Sequence, residues 1–282
     1  MPAITTRKLS EHVGVEVTGV DVDRLLHDPD IPSECLNALE AHGVLVFRDL
    51  HIDDESQAAF SRRLGQLVQF PGYPNPEVME ISFDPANPNA EFFASNDYWH
   101  IDGFMDEVPA RASIMSAHTV TEVGGETEFA STYVAYEHLS DEEKRRFADL
   151  RVVHSFETVQ RRSYPDPTPE QLAEWERRGS RIHPLVWVHR SGRRSLVFGS
   201  ACSHIVGMDR DEGRRLLLDL EQRATTPDRI LSYTWSVGDM VIWDNTGLVH
   251  RARPFDRSEP RRMHRSTLVG EESITSAQAV NA

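Results

Sequence analysis

Short runs of apolar or alternating residues recur along the chain, and this pattern predicts many short strands separated by glycine-rich turns. Val44–Phe47 is continuously apolar, as expected of a buried strand, whereas residues 110–120 and 263–269 alternate loosely between apolar and polar. Further strands are predicted at residues 13–20, 78–82, 126–131, 185–189, 195–199, 230–235, 240–243 and Leu248–Ala252. The strands therefore outnumber the helices.

Helix signals are fewer and lie between the strands. Ser140 and Glu143 form a capping-box pattern at the start of residues 140–150. Apolar spacing and capping residues also predict helices at 33–43, 55–65 and 209–224, and a short helix at Pro169–Arg178 within a charged excursion at 158–182. Strands that do not alternate regularly with helices favour a mainly β fold with peripheral helices, an antiparallel sandwich or jelly roll. We expect one domain over residues 1–282, with a flexible tail at 273–282.

Composition and charge restrict the functional classes. No run of the 282 residues approaches the 18 apolar residues of a membrane helix, and the N-terminus lacks an apolar signal core, so a soluble cytoplasmic protein is expected. The formal net charge of −15 argues against nucleic acid and anionic membrane surfaces as partners. A small anionic substrate stays allowed, because surface fields are screened within about 8 Å at physiological salt. Cys35 and Cys202 are too few for a disulfide framework or a thiolate metal cage, and both are expected to be buried or semi-buried.

The strongest chemical signal lies in residues 95–103. If this stretch is extended, His100 and Asp102 point to the same side, because side chains two apart share a face. An imidazole and a carboxylate side by side are two of the three ligands of the 2-His-1-carboxylate triad that binds non-haem Fe(II). The candidate for the third ligand is His250.

The same His-x-Asp pattern occurs once more, at His51 and Asp53, where a structural explanation is favoured. Asp53 or Asp54 precedes a helical pattern and is expected to cap it. His51 is then a surface loop residue. The pattern alone is therefore weak evidence for a metal.

Residues elsewhere in the chain strengthen the metal interpretation. Together they resemble the TauD/TfdA-type Fe(II)/2-oxoglutarate-dependent dioxygenases over about residues 9–270: His100-Ile-Asp102, Thr127 after Gly124-Gly125, Trp243-Asp-Asn245, His250, Arg261 and Arg265. The resemblance implies a double-stranded β-helix (jelly roll). It also implies iron ligands His100, Asp102 and His250, and the use of Fe(II), 2-oxoglutarate and O2.

The resemblance assigns further residues to the co-substrate and the substrate. Arg261, eleven residues after His250, matches the arginine that binds the distal carboxylate of 2-oxoglutarate, and Thr127 matches the hydroxyl beside it. Arg265 matches an arginine near the anionic group of the substrate, and Asn96 matches an active-site asparagine of taurine enzymes; both are expected at the border of the co-substrate and substrate sites.

Strand parity supports the two arginines independently. On one strand Arg261, Met263 and Arg265 share a face, which predicts that Arg262 and His264 point outward. A planar guanidinium makes paired hydrogen bonds to a carboxylate, so an inward arginine suits a dicarboxylate co-substrate. The alternative, an arginine-rich solvated face, fits less well because the inward set also carries an apolar residue.

Two residues bear on the substrate. Residues 198–207 resemble the corresponding segment of aryloxyacetate-type enzymes, which suggests a pocket role for His204. Residues 70–75 lack the sulfonate-binding histidine of taurine enzymes and offer only Tyr73 as a large polar side chain. A carboxylate is therefore favoured over a taurine-like sulfonate. We interpret His118, His154, His183 and His189 as structural.

The expected activity is oxidation, mainly hydroxylation, of a small anionic organic molecule with release of succinate and CO2. Desaturation or cyclisation in a biosynthetic pathway would use the same iron site. Two alternatives from other classes are a zinc hydrolase built on the same triad and a non-catalytic protein that binds 2-oxoglutarate and metal. Nothing in the sequence excludes a homo-oligomer.

Overall fold

The computed structural model describes residues 3–87 and 89–276, apart from the side chain of residue 91. The strands are β1 (Thr5–Lys8), β2 (Val15–Thr18), β3 (Val44–Phe47), β4 (Met79–Ser82), β5 (Ala112–Thr119), β6 (Thr127–Ser131), β7 (Arg151–Ser155), β8 (Ser180–Pro184), β9 (Val186–Val188), β10 (Arg194–Leu196), β11 (Cys202–Ile205), β12 (Ile230–Tyr233), β13 (Met240–Asp244), β14 (Leu248–Ala252) and β15 (Arg262–Leu268). The helices are α1 (Val22–His27), α2 (Ile31–His42), α3 (Asp54–Leu64), α4 (Thr132–Glu137), α5 (Asp141–Phe147), α6 (Phe156–Ser163), α7 (Pro169–Arg178) and α8 (Arg210–Ala224), with a 3₁₀ helix at Ala90–Asp97.

A seven-stranded sheet forms the centre of the fold, in the order β1-β2-β3-β13-β5-β15-β4. Only β2 and β3 pair in parallel; the other neighbours are antiparallel. β3 and β13 lie in its middle, and every residue of both strands is buried. This burial explains the continuous apolar sequence of β3 and of the first four residues of β13.

A three-stranded antiparallel sheet, β12-β6-β14, packs against one face of the central sheet. Phe129 of this smaller sheet and Trp243 of the central sheet are fully buried, and their rings lie 5.8 Å apart. The opposite face of the central sheet is covered by helices α2 and α3, through residues such as Leu39 and Phe60. The central sheet is therefore a middle layer between strands and helices.

The region from β7 to α8 forms a third unit of packing, with the small sheets β11-β7-β8 and β10-β9. Helix α7 lies at the predicted residues, and Thr168 and Gln171 form its capping box. The capping box of α5 at Ser140 is also present as predicted. Sequence patterns missed α6 and β8, whose residues are largely charged or polar.

The stretch around the predicted metal ligands is not a continuous strand. The 3₁₀ helix takes up the residues before it, His100 forms an isolated bridge with His250, and Asp102 lies in a turn next to Gly103, whose φ is +78°. The expectation of extended alternation here is wrong. Pairing with a distant strand and a tight turn, rather than strand parity, bring the two side chains together.

The ends of two other elements differ from expectation. Helix α2 starts at Ile31 because Pro32 fits the first helical turn, so the predicted start at residue 33 is two residues late. In the predicted tail, Ile274 is buried and Thr275 exchanges hydrogen bonds with Val188; residues 277–282 lie outside the described part. None of the helices in that part combines the length and apolar character needed to cross a bilayer.

Candidate active site

His100, Asp102 and His250 meet at the edge of the smaller sheet. The backbone N–H groups of His100 and His250 each donate to the other residue's carbonyl at 3.0 Å. Their Nε2 atoms lie 3.8 and 3.9 Å from the two carboxylate oxygens of Asp102. The structure therefore confirms that these three side chains converge.

The neighbours of the cluster orient its ligand atoms. His100 Nδ1 lies 2.8 Å from the carbonyl of Tyr98, which can only accept, so Nδ1 carries the proton and Nε2 keeps a lone pair toward Asp102. The Ser113 hydroxyl donates to Asp102 Oδ2 at 2.8 Å and accepts from the side-chain amide of Asn245 at 3.1 Å. Such supporting hydrogen bonds are typical around metal ligands.

The protonation states also favour a cation. Burial, together with the nearby His100, lowers the pKa of His250 to about 3, and burial lowers the pKa of His100. Burial by itself would raise the pKa of Asp102, but the Arg265 guanidinium and the two imidazoles hold it well below its usual range. Near pH 7 the cluster therefore has two neutral imidazoles and one carboxylate, with His250 Nδ1 buried and without a partner among the described residues. This donor set fits a divalent metal ion.

Arg261 and Thr127 form a buried group suited to a carboxylate. Arg261 is 8% exposed and donates to the carbonyl of Gly125 at 3.2 Å. No anionic side chain in the described residues pairs with it, and burial lowers its pKa to about 10. The Thr127 hydroxyl accepts from the Trp235 indole at 2.9 Å, which leaves its own proton free for another acceptor.

Gly125 explains the double glycine that precedes Thr127. Its φ is +74°, and a Cβ there would lie 2.7 Å from Thr121 Oγ1 and 3.2 Å from Arg261 Nε. Only glycine lets the backbone approach the guanidinium this closely.

A cavity of about 250 Å³ opens beside His100 and Asp102. Two predicted residues, Arg265 and Asn96, line it. Arg265 also donates to both oxygens of Asp102, at 3.2 and 3.3 Å. The remaining walls are largely aromatic or apolar: Met79, Phe92, Phe93, Ile101, Phe104, Phe156 and Val159, with Asn89, Ser95, Gly103, Arg178 and Ser200.

Two predicted substrate residues are absent from these walls. The Tyr73 hydroxyl bonds to the side chains of Asn87, at 3.0 Å, and Asn89, at 2.9 Å, and faces a different cavity. His204 lies on β11, where its Nδ1 bonds to the Ser203 hydroxyl at 3.1 Å. Neither residue lines this cavity, because the path of a loop and the facing of a short strand are not encoded in the spacing of residues. The substrate-binding roles assigned to Tyr73 and His204 stay predictions.

Sequence patterns missed three residues of the site. Ser113 stands on a strand whose other residues gave no reason to single it out. Ser200 follows Gly199, and its hydroxyl is buried without a partner among the described residues. Arg178 reaches the cavity from α7 and lies 4.8 and 4.5 Å from the rings of Phe92 and Phe156.

Residues 5–267 match the family model described as "Taurine catabolism dioxygenase TauD, TfdA family". The chain belongs to the TauD/TfdA family. Among its relatives is the (S)-phenoxypropionate/alpha-ketoglutarate-dioxygenase of Sphingobium herbicidovorans, 32% identical over 99% of both chains. The alkylsulfatase of Acinetobacter baylyi is 31% identical over 94% of this chain and 84% of that protein.

Solved structures agree with this assignment. A crystal structure of AAD-2 with Mn(II) and N-oxalylglycine superposes with a TM-score of 0.81 at 33% identity, covering 97% of this chain and 100% of the other. The protein is thus an Fe(II)/2-oxoglutarate-dependent oxygenase with a mostly sheet-based fold, and Fe(II), 2-oxoglutarate and O2 are its cofactor and co-substrates. Membership of this dioxygenase family decides against a zinc hydrolase and against a non-catalytic binding protein.

Proposed function

We propose that this dioxygenase hydroxylates a small organic anion, a carboxylate rather than a taurine-like sulfonate, with release of succinate and CO2. The observation that carries the proposal is the cavity beside His100 and Asp102. Its walls combine aromatic rings with the guanidinium groups of Arg265 and Arg178. An apolar body with a charged end would match both parts of this lining.

In this proposal His100, Asp102 and His250 hold Fe(II). When bound, the iron supplies the activation of O2 and the chelation of 2-oxoglutarate. The protein keeps the donor atoms ready: the Tyr98 carbonyl fixes the tautomer of His100, and Ser113 fixes the carboxylate of Asp102. Little reorganisation is then needed when the metal binds.

Arg261 and Thr127 bind the distal carboxylate of 2-oxoglutarate in this proposal. Arg261 is a buried cation without an anionic partner among the described residues, and the Thr127 hydroxyl has a proton to donate. Each hydrogen bond to a charged group contributes about 1.5–3 kcal/mol. Together the two groups can select a dicarboxylate.

Arg265 and Asn96 bind the substrate's anionic group and border the co-substrate. Arg265 Nε is buried without a partner among the described residues, so it has a donor to offer while Nη1 bonds Asp102. Arg178 and the rings of Phe92 and Phe156 would contact the rest of the substrate. The phenoxypropionate relative acts on a molecule of this kind, an aryl group joined to a carboxylate.

The fold and setting of the enzyme complete the proposal. The antiparallel pairings of the central sheet and of β12-β6-β14 support a double-stranded β-helix around the iron site. A cytoplasmic location, the absence of nucleic-acid partners and a homo-oligomeric state stay predictions.

The test is a panel of aryloxy and alkyl carboxylates, sulfonates and sulfate esters, assayed for succinate that forms only when substrate is present. Carboxylates with an aromatic group should give the fastest release, and mass spectrometry should show one added oxygen rather than the loss of two hydrogens. A preference for sulfonates or sulfate esters would overturn the substrate class. An anaerobic charge-transfer band near roughly 500 nm should form with Fe(II) and 2-oxoglutarate, and His100→Ala should abolish it.

A further inference from the structure

A second group of metal-binding side chains lies on the other face of the central sheet. Among the described residues, Asp54, His118 and His264 each place one potential ligand atom within 4.8 Å of the others. Glu80 lies beside them, with its Oε2 3.8 Å from His264 Nε2. The four residues come from α3, β4, β5 and β15, so the fold rather than local sequence brings them together.

A chain of hydrogen bonds fixes the tautomer of His118. The amide nitrogen of Gln57 donates to the carbonyls of Ile114 and His264, both at 3.2 Å, so its oxygen must be the atom that accepts from the Ser116 hydroxyl at 2.6 Å. Ser116 has then used its only proton. The 3.1 Å contact between Ser116 Oγ and His118 Nε2 therefore requires a proton on Nε2, which leaves the lone pair on Nδ1.

His264 is arranged in the complementary way. Its Nδ1 lies 2.5 Å from Asp54 Oδ1 and donates to it. Its Nε2 is buried and has no hydrogen-bond partner among the described residues. A carboxylate on one ring nitrogen and a free lone pair on the other is the arrangement found at metal-bound histidines.

We propose that His118, His264 and Glu80 bind a second divalent ion of borderline softness, such as Zn²⁺, with Asp54 orienting His264. Two neutral imidazoles and two carboxylates carry a formal charge of −2, which a divalent cation balances. Imidazole ligands favour such an ion over Mg²⁺ or Ca²⁺.

One pair of proposed ligand atoms already lies close to the spacing that a metal ion requires. Two ligands about 2.1 Å from a tetrahedral ion lie roughly 3.4 Å apart, compared with the 3.8 Å between His264 Nε2 and Glu80 Oε2. The rings of His118 and His264 are stacked, with centroids 3.8 Å apart, and a ring nitrogen of each lies within 4.8 Å of the other and of a carboxylate oxygen of Asp54. A cavity of about 310 Å³, lined in part by Asp54, Glu80 and His264, gives an ion access from solvent.

Zinc stoichiometry in the full-length protein tests the proposal without any turnover. A His100→Ala, His250→Ala chain lacks both histidines of the first cluster, which consists of His100, Asp102 and His250. After treatment with a chelator it should still bind one Zn²⁺ in equilibrium dialysis. Adding His264→Gln or His118→Gln should abolish this binding. Asp54→Asn should keep the stoichiometry and weaken the affinity about 10- to 100-fold, because Asp54 acts through His264.

The matched control is His27→Gln, which removes an exposed histidine that also bonds an aspartate, Asp23, at 3.0 Å. It should leave zinc binding unchanged. If the His100→Ala, His250→Ala chain binds no zinc, or still binds zinc when it also carries His264→Gln, the proposal is wrong. Asp54, Glu80 and the two histidines would then form only ion pairs. Should that chain not fold, the wild type decides the matter: two Zn²⁺ per chain support the second site and one overturns it.

Discussion

Asp102 illustrates how single residues set the properties of the first cluster. Its carboxylate receives hydrogen bonds from Ser113 and Arg265 and faces the Nε2 atoms of both histidines. A carboxylate in this position stays ionised although it is largely buried, because each neighbour favours the negative form. The site therefore keeps a negative charge available for a metal ion.

Ser113→Ala should weaken iron binding. The change removes the hydrogen bond to Asp102 and leaves the Asn245 amide without its acceptor. We expect the Fe(II) affinity to fall about 10- to 100-fold, measured by anaerobic titration. Ser195→Ala also removes a fully buried hydroxyl, but Ser195 bonds His189 instead of an iron ligand, so this change should leave the affinity for Fe(II) unchanged. Equal affinities for the two variants would contradict the role given to Ser113.

Arg261→Ala should weaken 2-oxoglutarate binding while sparing iron. Loss of one charge-assisted hydrogen bond of about 1.5–3 kcal/mol corresponds to roughly a 10- to 160-fold lower affinity. The charge-transfer band titrated with 2-oxoglutarate measures this. Arg262→Ala is the control, because its exposed side chain is adjacent in sequence. If the co-substrate binds Arg261→Ala as tightly as wild type, the assignment of Arg261 is wrong.

At the level of elements, β15 and the pair α6–α7 do most to shape the site. β15 turns Arg265 toward the first cluster and His264 toward α3, as strand parity predicts. Its second face is covered rather than solvated, since Ser266 is fully buried against Gln57 of α3. Helices α6 and α7 supply Phe156 and Arg178 to the cavity.

Arg178→Ala should raise the KM for an aryl carboxylate about tenfold, the effect expected from losing one hydrogen bond to a charged group. The slow succinate release without substrate should not change, because the side chain does not contact the iron ligands. Arg177→Ala is the matched control: its side chain is 75% exposed, and Arg177 bonds Glu174 as Arg178 does. Similar KM values for both variants would show that α7 does not contact the substrate.

Local sequence patterns predicted those elements whose signals are local. Val44–Phe47 was found at its observed bounds because a buried strand is continuously apolar, and α7 because its cap residues are explicit. Leu248–Ala252 was also found at its observed bounds, although it includes His250 and Arg251. Helix α6 buries only Val159 and Gln160, so its sequence resembles a charged loop. The convergence of His100 and His250 rested on the family resemblance, since nothing in either stretch specifies its distant partner.

For the whole molecule, buried histidines couple stability to pH. Burial lowers the pKa of His154 to about 3 and that of His189 to about 4, from 6.5 when exposed. Between about pH 4 and pH 6.5 each ring is neutral in the folded protein and takes up a proton when the chain unfolds. The unfolded state therefore binds more protons, and acid favours unfolding.

The free energy of unfolding of the metal-free protein should accordingly fall as the pH drops from about 6.5 toward 4. Each of the two histidines should contribute up to about 1.4 kcal/mol per pH unit. Urea unfolding between pH 7.5 and 5 measures the slope. His154→Gln should show a shallower dependence than wild type, and parallel curves would contradict this account.

Because β15 presents different side chains on its two faces, the deletion of residues within this strand should affect the site. Because neighbouring side chains point to opposite faces, deleting a single residue within Arg262–Leu268 would exchange the inward and outward sets on one side of the cut. Arginine would then meet α3, and histidine would meet the substrate cavity. Deleting one residue near Arg265 should therefore disrupt the site more than deleting two, because removing two residues preserves the side of the sheet to which each remaining side chain points.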